Sequence, residues 1–184
     1  ENILLNLNVD RLYQRGLFES QDKKIIITEN VIIDILEKPR LEIQQIHKVP
    51  TIGVINGLYA TTNGGGGIVP IQIFPNFFNS DTPFSLRLTG CQGDVMKESV
   101  QCSLTCAIDY INNNKDKYGI DNLKEYLENK WKSGFHVHAP SGATPKDGPS
   151  AGSAFTTAFI SRILEKKIDN TVAMTGEIDL LGCV

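Results

Sequence analysis

The chain predicts an α+β fold, with helices packed on mixed β-sheets, and three observations predict it. A glycine-rich turn at 63–67 separates two runs of β-branched and apolar residues, 52–60 and 68–74, which is the pattern of a β-hairpin. Residues 94–112 set Met96, Val100, Leu104, Ala107 and Ile111 at steps of four and three, one apolar stripe along a helix. A second helical pattern, from about 149 to 167, buries Ala151, Ala154, Phe155, Ala158, Phe159 and Ile163.

The other elements fall between these. Residues 1 to about 20 read as a helix on Leu4, Leu5, Leu7, Leu12, Leu17 and Phe18. A short strand follows at 24–27. Thr28 then caps a helix carrying Val31, Ile32, Ile35 and Leu36, which Pro39 ends. Residues 38–49, rich in Lys, Pro, Arg, Glu and Gln, read as an exposed linker, so the chain divides into 1–48 and 49–184. Beyond the hairpin, 75–83 is a loop and 84–88 a strand. Residues 112–115 break the long helix, and 123–131 form a shorter one. Phe135-His136-Val137-His138 is a strand, 139–148 a Pro/Gly/Ser/Thr loop, and 171–174 the last strand, ahead of Thr175-Gly176-Glu177 and an extended 178–180.

With 184 residues, the length suffices for one good core, or one domain and part of another. Hydrophobic residues make up 41% and charged residues 21%, the balance of a soluble globular protein. A net charge of -3 leaves no basic surplus for a phosphate backbone, so nucleic acid is not an expected partner. No apolar run approaches the roughly 20 residues of a membrane span, and the N-terminus lacks the pattern of a secretory leader. The 4 cysteines, Cys91, Cys102, Cys106 and Cys183, form no Cys-x-x-Cys pair, and no glycosylation sequon occurs, which points to a reducing, intracellular compartment. Cys102 and Cys106 share a helix face and read as small buried residues. The chain starts at Glu1 and stops at Val184 after a Gly-Cys pair, and we expect a piece of a longer protein.

The chemistry gathers before the last helix. Asp147 and Pro149 are helix-start signals, which puts Ser150 in a first turn whose N–H groups lack intrahelical partners. Such donors suit the oxyanion formed when a serine attacks a carbonyl. Ala151 and Gly152 are small enough to let a peptide backbone approach. Spacing alone equally allows Ser150 to be a capping hydroxyl. Gly148-Pro149-Ser150-Ala151-Gly152 matches the G-x-S-x-G elbow in letters, but no strand precedes it and all three histidines, His47, His136 and His138, come before the serine. Alternation along the strand turns His136 and His138 to one face. There they could act as a base or as metal ligands, but no carboxylate or thiolate set completes a metal site, and support beneath a loop is the commonest role. The glycine run at 64–67 lacks the Lys-Ser/Thr of a phosphate loop and precedes a strand.

The run Phe135-His136-Val137-His138-Ala139-Pro140-Ser141-Gly142-Ala143-Thr144-Pro145-Lys146-Asp147-Gly148-Pro149-Ser150-Ala151-Gly152 resembles the active-site block of the ATP-dependent Lon proteases. The run from Val172 to Leu180 through Thr175-Gly176-Glu177 resembles the block that follows it. Thr89-Gly90 with Gly93-Asp94-Val95-Met96-Lys97-Glu98-Ser99, and the strand from Ile52, resemble earlier parts in the same order. The resemblance runs from about 49 to 184, and 1–48 resemble, less sharply, the end of the family's AAA+ helical lid and its linker.

This resemblance implies a Lon-type proteolytic domain, incomplete at its C-terminal end. It implies that Ser150 is the nucleophile, that Thr175 and Glu177 line the site, that Asp147 is the acidic residue before the nucleophile, and that His136 and His138 support it. Asp94 stands where a glutamate is usual and Leu181 where a polar or basic residue is common. The implied protein is an ATP-dependent serine endopeptidase with a Ser-Lys dyad. It would degrade unfolded or damaged polypeptides inside a homo-oligomeric ring, usually of six subunits, in cytoplasm, mitochondrial matrix or peroxisome. ATP and magnesium would bind a separate AAA+ module, since this chain has no Walker A motif and implies no cofactor of its own. The alternative is a non-catalytic Lon-like module kept for ring assembly.

The dyad's lysine is not expected within these residues. Lys166 and Lys167 lie at the far end of the serine's own predicted helix, about 24 Å away at 1.5 Å per residue. Lys146 reads as a solvated loop cation. The family's lysine follows a Gly-rich segment a little beyond Thr-Gly-Glu, past Val184, so these 184 residues alone are expected to be inactive.

Overall fold

The computed structural model describes residues 18–19, 24–25, 46–61, 65–77, 82–140 and 146–184. The chain divides into two compact units, Glu1–Ile43 and Gln44–Val184. In the first, β1 (Phe18–Glu19) pairs antiparallel with β2 (Lys24–Ile25). The strand expected at 24–27 is therefore present in its first half. The helix expected to reach residue 20 is instead strand at Phe18 and Glu19, because the two residues pair with Ile25 and Lys24. The remainder of that helix and the one expected after Thr28 lie outside the described residues.

The second unit is α+β. The single strand expected over 52–60 is two: β3 (Thr51–Ile52) and β4 (Val54–Ala60). Gly53 separates them in the left-handed region, φ 67°, and a Cβ there would lie 2.4 Å from Ile73 O. The break sends β3 into a small sheet with β8 (Lys167–Ile168), while β4 pairs antiparallel with β5 (Gly66–Pro75) along the expected hairpin. Arg162 fills the break, donating Nε to Ile73 O at 2.7 Å and Nη2 to Ile52 O at 2.7 Å, with its guanidinium over the Phe74 ring.

The main sheet runs β6-β7-β5-β4-β9, with β6 (Leu86–Thr89), β7 (Phe135–His138) and β9 (Ala173–Met174). The β6–β7 and β4–β9 pairs are parallel and the rest antiparallel, so the sheet is mixed. Helix α1 (Asp94–Asn113) follows β6; α2 (Lys115–Tyr118) and α3 (Leu123–Trp131) lead to β7; α4 (Gly152–Ile163) follows. Asn122 caps α3 by accepting from Glu125 N.

The core lies where α1 and α4 meet the sheet. Ala154, Phe155, Ala158, Phe159 and Ile163 of α4 are all fully buried, as their spacing predicted, against Ile55, Ile71, Ile73, Val100 and Phe135. The α1–α4 contact carries polar atoms. Ser103 Oγ donates to its own helix at Ser99 O and reaches Gly152 O at 3.1 Å, and Thr156 Oγ1 donates back to Ser103 O. A buried hydroxyl placed so is stabilised by its bonds, and it fixes the rotation of one helix against the other.

Candidate active site

Helix α4 is shorter at both ends than its sequence suggested, and each end has a physical cause. Ser150 O would accept from residue 154 in a helix. Instead it accepts from Gly176 N at 2.6 Å and from Thr175 Oγ1 at 3.2 Å, so the helical ladder starts one residue later, with Phe155 N donating to Ala151 O. Ser150 therefore sits in the turn ahead of the helix, and it is exposed. At the other end Glu165 takes the left-handed region, φ 55°. Lys166 N donates to Ser161 O and Glu165 N to Arg162 O, which closes a Schellman motif. Ser161 Oγ adds a short bond to Lys166 O. Lys166 and Lys167 are thus outside the helix and exposed, at the end away from Ser150. A helix of 12 residues is about 18 Å long.

The first-turn donors expected to be open are partly taken. Gly152 N donates to Pro149 O and Ser153 N to Gly176 O. Gly152 does not face outward to a visiting peptide as its size suggested. It is buried, and a Cβ on it would lie 2.9 Å from Ile178 N and 3.3 Å from Ser99 Oγ. The backbone that comes close is the chain's own, arriving just after Thr175-Gly176-Glu177.

Asp147 reads in sequence as a start signal for α4, but it caps α1. Its Oδ1 accepts from Met96 N at 2.9 Å and from Gly148 N at 2.9 Å. Gly93, the cap residue of α1, has no side chain for that task, and a Cβ there would lie 2.3 Å from the Asp147 carboxyl carbon. A bridge between Gln92 and Lys146, with Gly93 N donating to Lys146 O and Lys146 N to Cys91 O, lays the two loops side by side. The carboxylate thus fastens the loop carrying Ser150 to the positive end of α1. Lys146 is not the solvated cation its loop suggested. It is half-buried, Nζ donates to Gly90 O at 3.2 Å, and burial pulls it below the ordinary lysine value while the nearby Cys91 opposes that shift.

His136 and His138 do share one face, and the residue they meet there is Thr89. Its hydroxyl lies 2.8 Å from His136 Nε2 and 2.7 Å from His138 Nδ1. The parallel register of β6 on β7, Thr89 opposite His138, sets this contact. A lone threonine at a strand end carries no chemical signature of this contact in sequence; only the pairing of two strands far apart along the chain shows it. Burial chiefly, then Arg87 and His138, hold the His136 imidazole below its usual value. Among the described residues, no three His, Cys, Asp or Glu side chains converge as a metal site.

Asp94 begins α1 with its exposed carboxylate on Lys97 at 2.9 Å, and that ammonium lowers its pKa. Thr175 meets Ser150 through its hydroxyl, and Glu177 is exposed two residues on. Ser150, Asp147, Thr175 and Gly176 are therefore brought together, while His136 and His138 stand beneath the neighbouring strand ends. Leu181 is exposed on the turn that follows.

Comparison with known proteins shows the family to which the chain belongs. The family model of the Lon protease (S16) C-terminal proteolytic domain matches residues 26–184. A Lon protease homolog of Acanthamoeba polyphaga mimivirus is 54% identical over 164 residues, which is 88% of this chain and 15% of that protein. A Lon protease of Mycoplasmopsis agalactiae is 40% identical over 161 residues, 88% of this chain and 15% of its own length. One of Clostridium acetobutylicum is 40% identical over 168 residues, 91% of this chain and 20% of its own length. The chain belongs to the Lon protease C-terminal proteolytic domain family. It spans no more than about a fifth of the length of these relatives.

Proposed function

We propose that Ser150 is the nucleophile of a serine–lysine endopeptidase and that this chain is the part of a longer ATP-dependent protease that holds the serine. The observation that carries the reading is the joint at Ser150 O, where Gly176 N and Thr175 Oγ1 both donate. It fixes the serine's backbone and leaves the residue exposed at the head of a buried helix. Ser150 Oγ attacks a peptide carbonyl carbon and its proton passes to a neutral lysine, the lysinium gives that proton to the leaving amine, and water resolves the acyl-enzyme. That lysine comes from residues beyond Val184. We assign Lys146, whose Nζ donates to Gly90 O, no part in that step. Asp147 positions the serine's loop, His136 and His138 brace the adjacent strands, and Thr175 and Glu177 line the site.

Substrates are unfolded or damaged polypeptides, the working assembly is a homo-oligomeric ring, and residues 1–48 are the end of a helical lid and its linker. We place the protein in a reducing compartment; among the described residues no helix is long and apolar enough to cross a membrane. ATP would bind a separate module: among the described residues, Gly66 of the glycine run lies in strand β5, where a Cβ would meet Tyr59 O across the hairpin at 2.6 Å. No step here runs through ATP or magnesium.

In the full-length protein, Ser150→Ala should abolish casein cleavage while ATP hydrolysis continues; undiminished cleavage overturns the assignment. A lysine in a Gly-Gly-x-Lys context beyond Val184 supports the dyad, and its absence supports a non-catalytic assembly module. The 184 residues alone should not turn over a fluorogenic peptide.

A further inference from the structure

Helix α1 turns two thiols onto one short segment of chain. Cys102 Sγ donates to Ile178 O at 3.5 Å, and Cys106 Sγ donates to the next carbonyl, Asp179 O, at 2.8 Å. Cys102 is half-buried and Cys106 is 5% exposed. Asp179 organises the turn behind them: its Oδ1 accepts from Leu181 N and Cys183 N, and its carbonyl also accepts from Gly182 N. The other side of this segment lies against Gly152, two residues past Ser150. The two thiols therefore pin the chain that leaves Thr175-Gly176-Glu177.

Their spacing selects a chemistry. Cβ atoms four residues apart on a helix are about 5–6 Å apart. A relaxed disulfide needs them at about 3.5–4.5 Å, so direct oxidation of this pair would distort α1. A larger atom bridging the two sulfurs spans the gap without moving the helix. Burial first, and then the neighbouring Cys102, push the Cys106 thiol above its ordinary value, which keeps it an S–H donor toward Asp179 O.

We propose that Cys102 and Cys106 form a dithiol site that captures a thiophilic trivalent arsenical as a cyclic dithioarsenite, releasing residues 178–183 from α1. With phenylarsine oxide, two As–S bonds form, the arsenic–oxygen bond breaks, and both thiol protons leave with the oxygen as water. Arsenic remains trivalent and nothing is oxidised. Cys102, the more accessible thiol, bonds first, and Cys106 closes the ring at high effective concentration. Both S–H donors are then lost to the carbonyls of Ile178 and Asp179. The site rests on the packing of α1 against this segment and stands whether or not Ser150 is the nucleophile.

The test treats the full-length protein with phenylarsine oxide, denatures it, and alkylates with N-ethylmaleimide so that burial cannot protect a free thiol. Cleavage after Lys97 and Lys115 isolates residues 98–115, which hold Cys102 and Cys106 and no other cysteine. The expected result is that both cysteines escape alkylation together, with one arsenic on the peptide, and that a dithiol such as dimercaptopropanol restores alkylation where excess glutathione does not. In Cys102→Ser and in Cys106→Ser the remaining cysteine should be alkylated as in untreated protein. Full alkylation of both cysteines after treatment, or retained protection in either single variant, overturns the site. Faster amide exchange over 178–183 in the adduct is the expected sign of release, and unchanged exchange overturns that part.

Discussion

Replacing Asp147 with alanine removes the carboxylate that caps α1 from another loop. Two hydrogen bonds go, those from Met96 N and Gly148 N, and with them the negative charge at the helix's positive end. A lost cap costs about 1 kcal/mol, within a range of about 0.5–2. A charge at a helix terminus adds about 0.3–1 kcal/mol, toward the low end here because the residue is exposed and screened. The expected loss is about 1.5 kcal/mol, or roughly 3–6 °C in Tm for a chain of this size. Urea unfolding of the Asp147→Ala variant should show the lower midpoint with an unchanged m value, and the Met96 amide should exchange faster in the native state. Asp147→Asn keeps an acceptor and should lose about half as much. Gly93→Ala pushes a methyl into the same carboxylate, so the double variant Gly93→Ala/Asp147→Ala should cost less than the two singles together. A loss below about 0.3 kcal/mol, strict additivity, or an unchanged Met96 exchange rate would refute the capping argument.

Three further outcomes follow from the same geometry. Thr89→Val takes one hydroxyl from two imidazoles and should cost about 1–3 kcal/mol by urea denaturation, more than Thr105→Val, whose hydroxyl bonds only its own helix. His136 is held below the ordinary histidine value of 6.5, so the unfolded chain binds the proton more tightly than the folded one. Its contribution is therefore complete above that value and is lost as pH falls through the folded pKa; urea midpoints between pH 7.5 and 5 should decline less in His136→Gln, and an equal decline would count against it. Arg162→Met strips charged donors from Ile73 O and Ile52 O and should cost about 3 kcal/mol, read as a lower midpoint with faster exchange in β3 and β8.

The parts that sequence conveyed are those set by neighbours along the chain. The 3.6-residue stripe of Met96, Val100, Ala107 and Ile111 and the buried face of α4 follow from periodicity, and both are in the core. The block around Ser150 was legible as a motif, and its nearness to Thr175-Gly176 is seen in the fold. Three features were not legible, each because a partner distant in sequence decides it. Ser150 O belongs to Gly176 rather than to α4, so Pro149 and Asp147 look like helix signals for a turn that never joins the helix. The end of α4 lacks the glycine that usually marks a Schellman turn, since Glu165 occupies the left-handed position. Gly53 resembles an ordinary strand residue until Arg162 and Ile73 show why the strand must break there.

That break at Gly53 also orders events during synthesis. Strand β3 finds its partner in β8, and Asn170 Nδ2 reaches back to His47 O, 123 residues earlier. The segment that enters this unit is thus clasped by a segment synthesised long after it. Closing so long a loop brings an entropic cost that early contacts do not offset. The hairpin and the helices can form as they emerge, but the entrance strand must wait, unpaired, until β8 and Asn170 have been made.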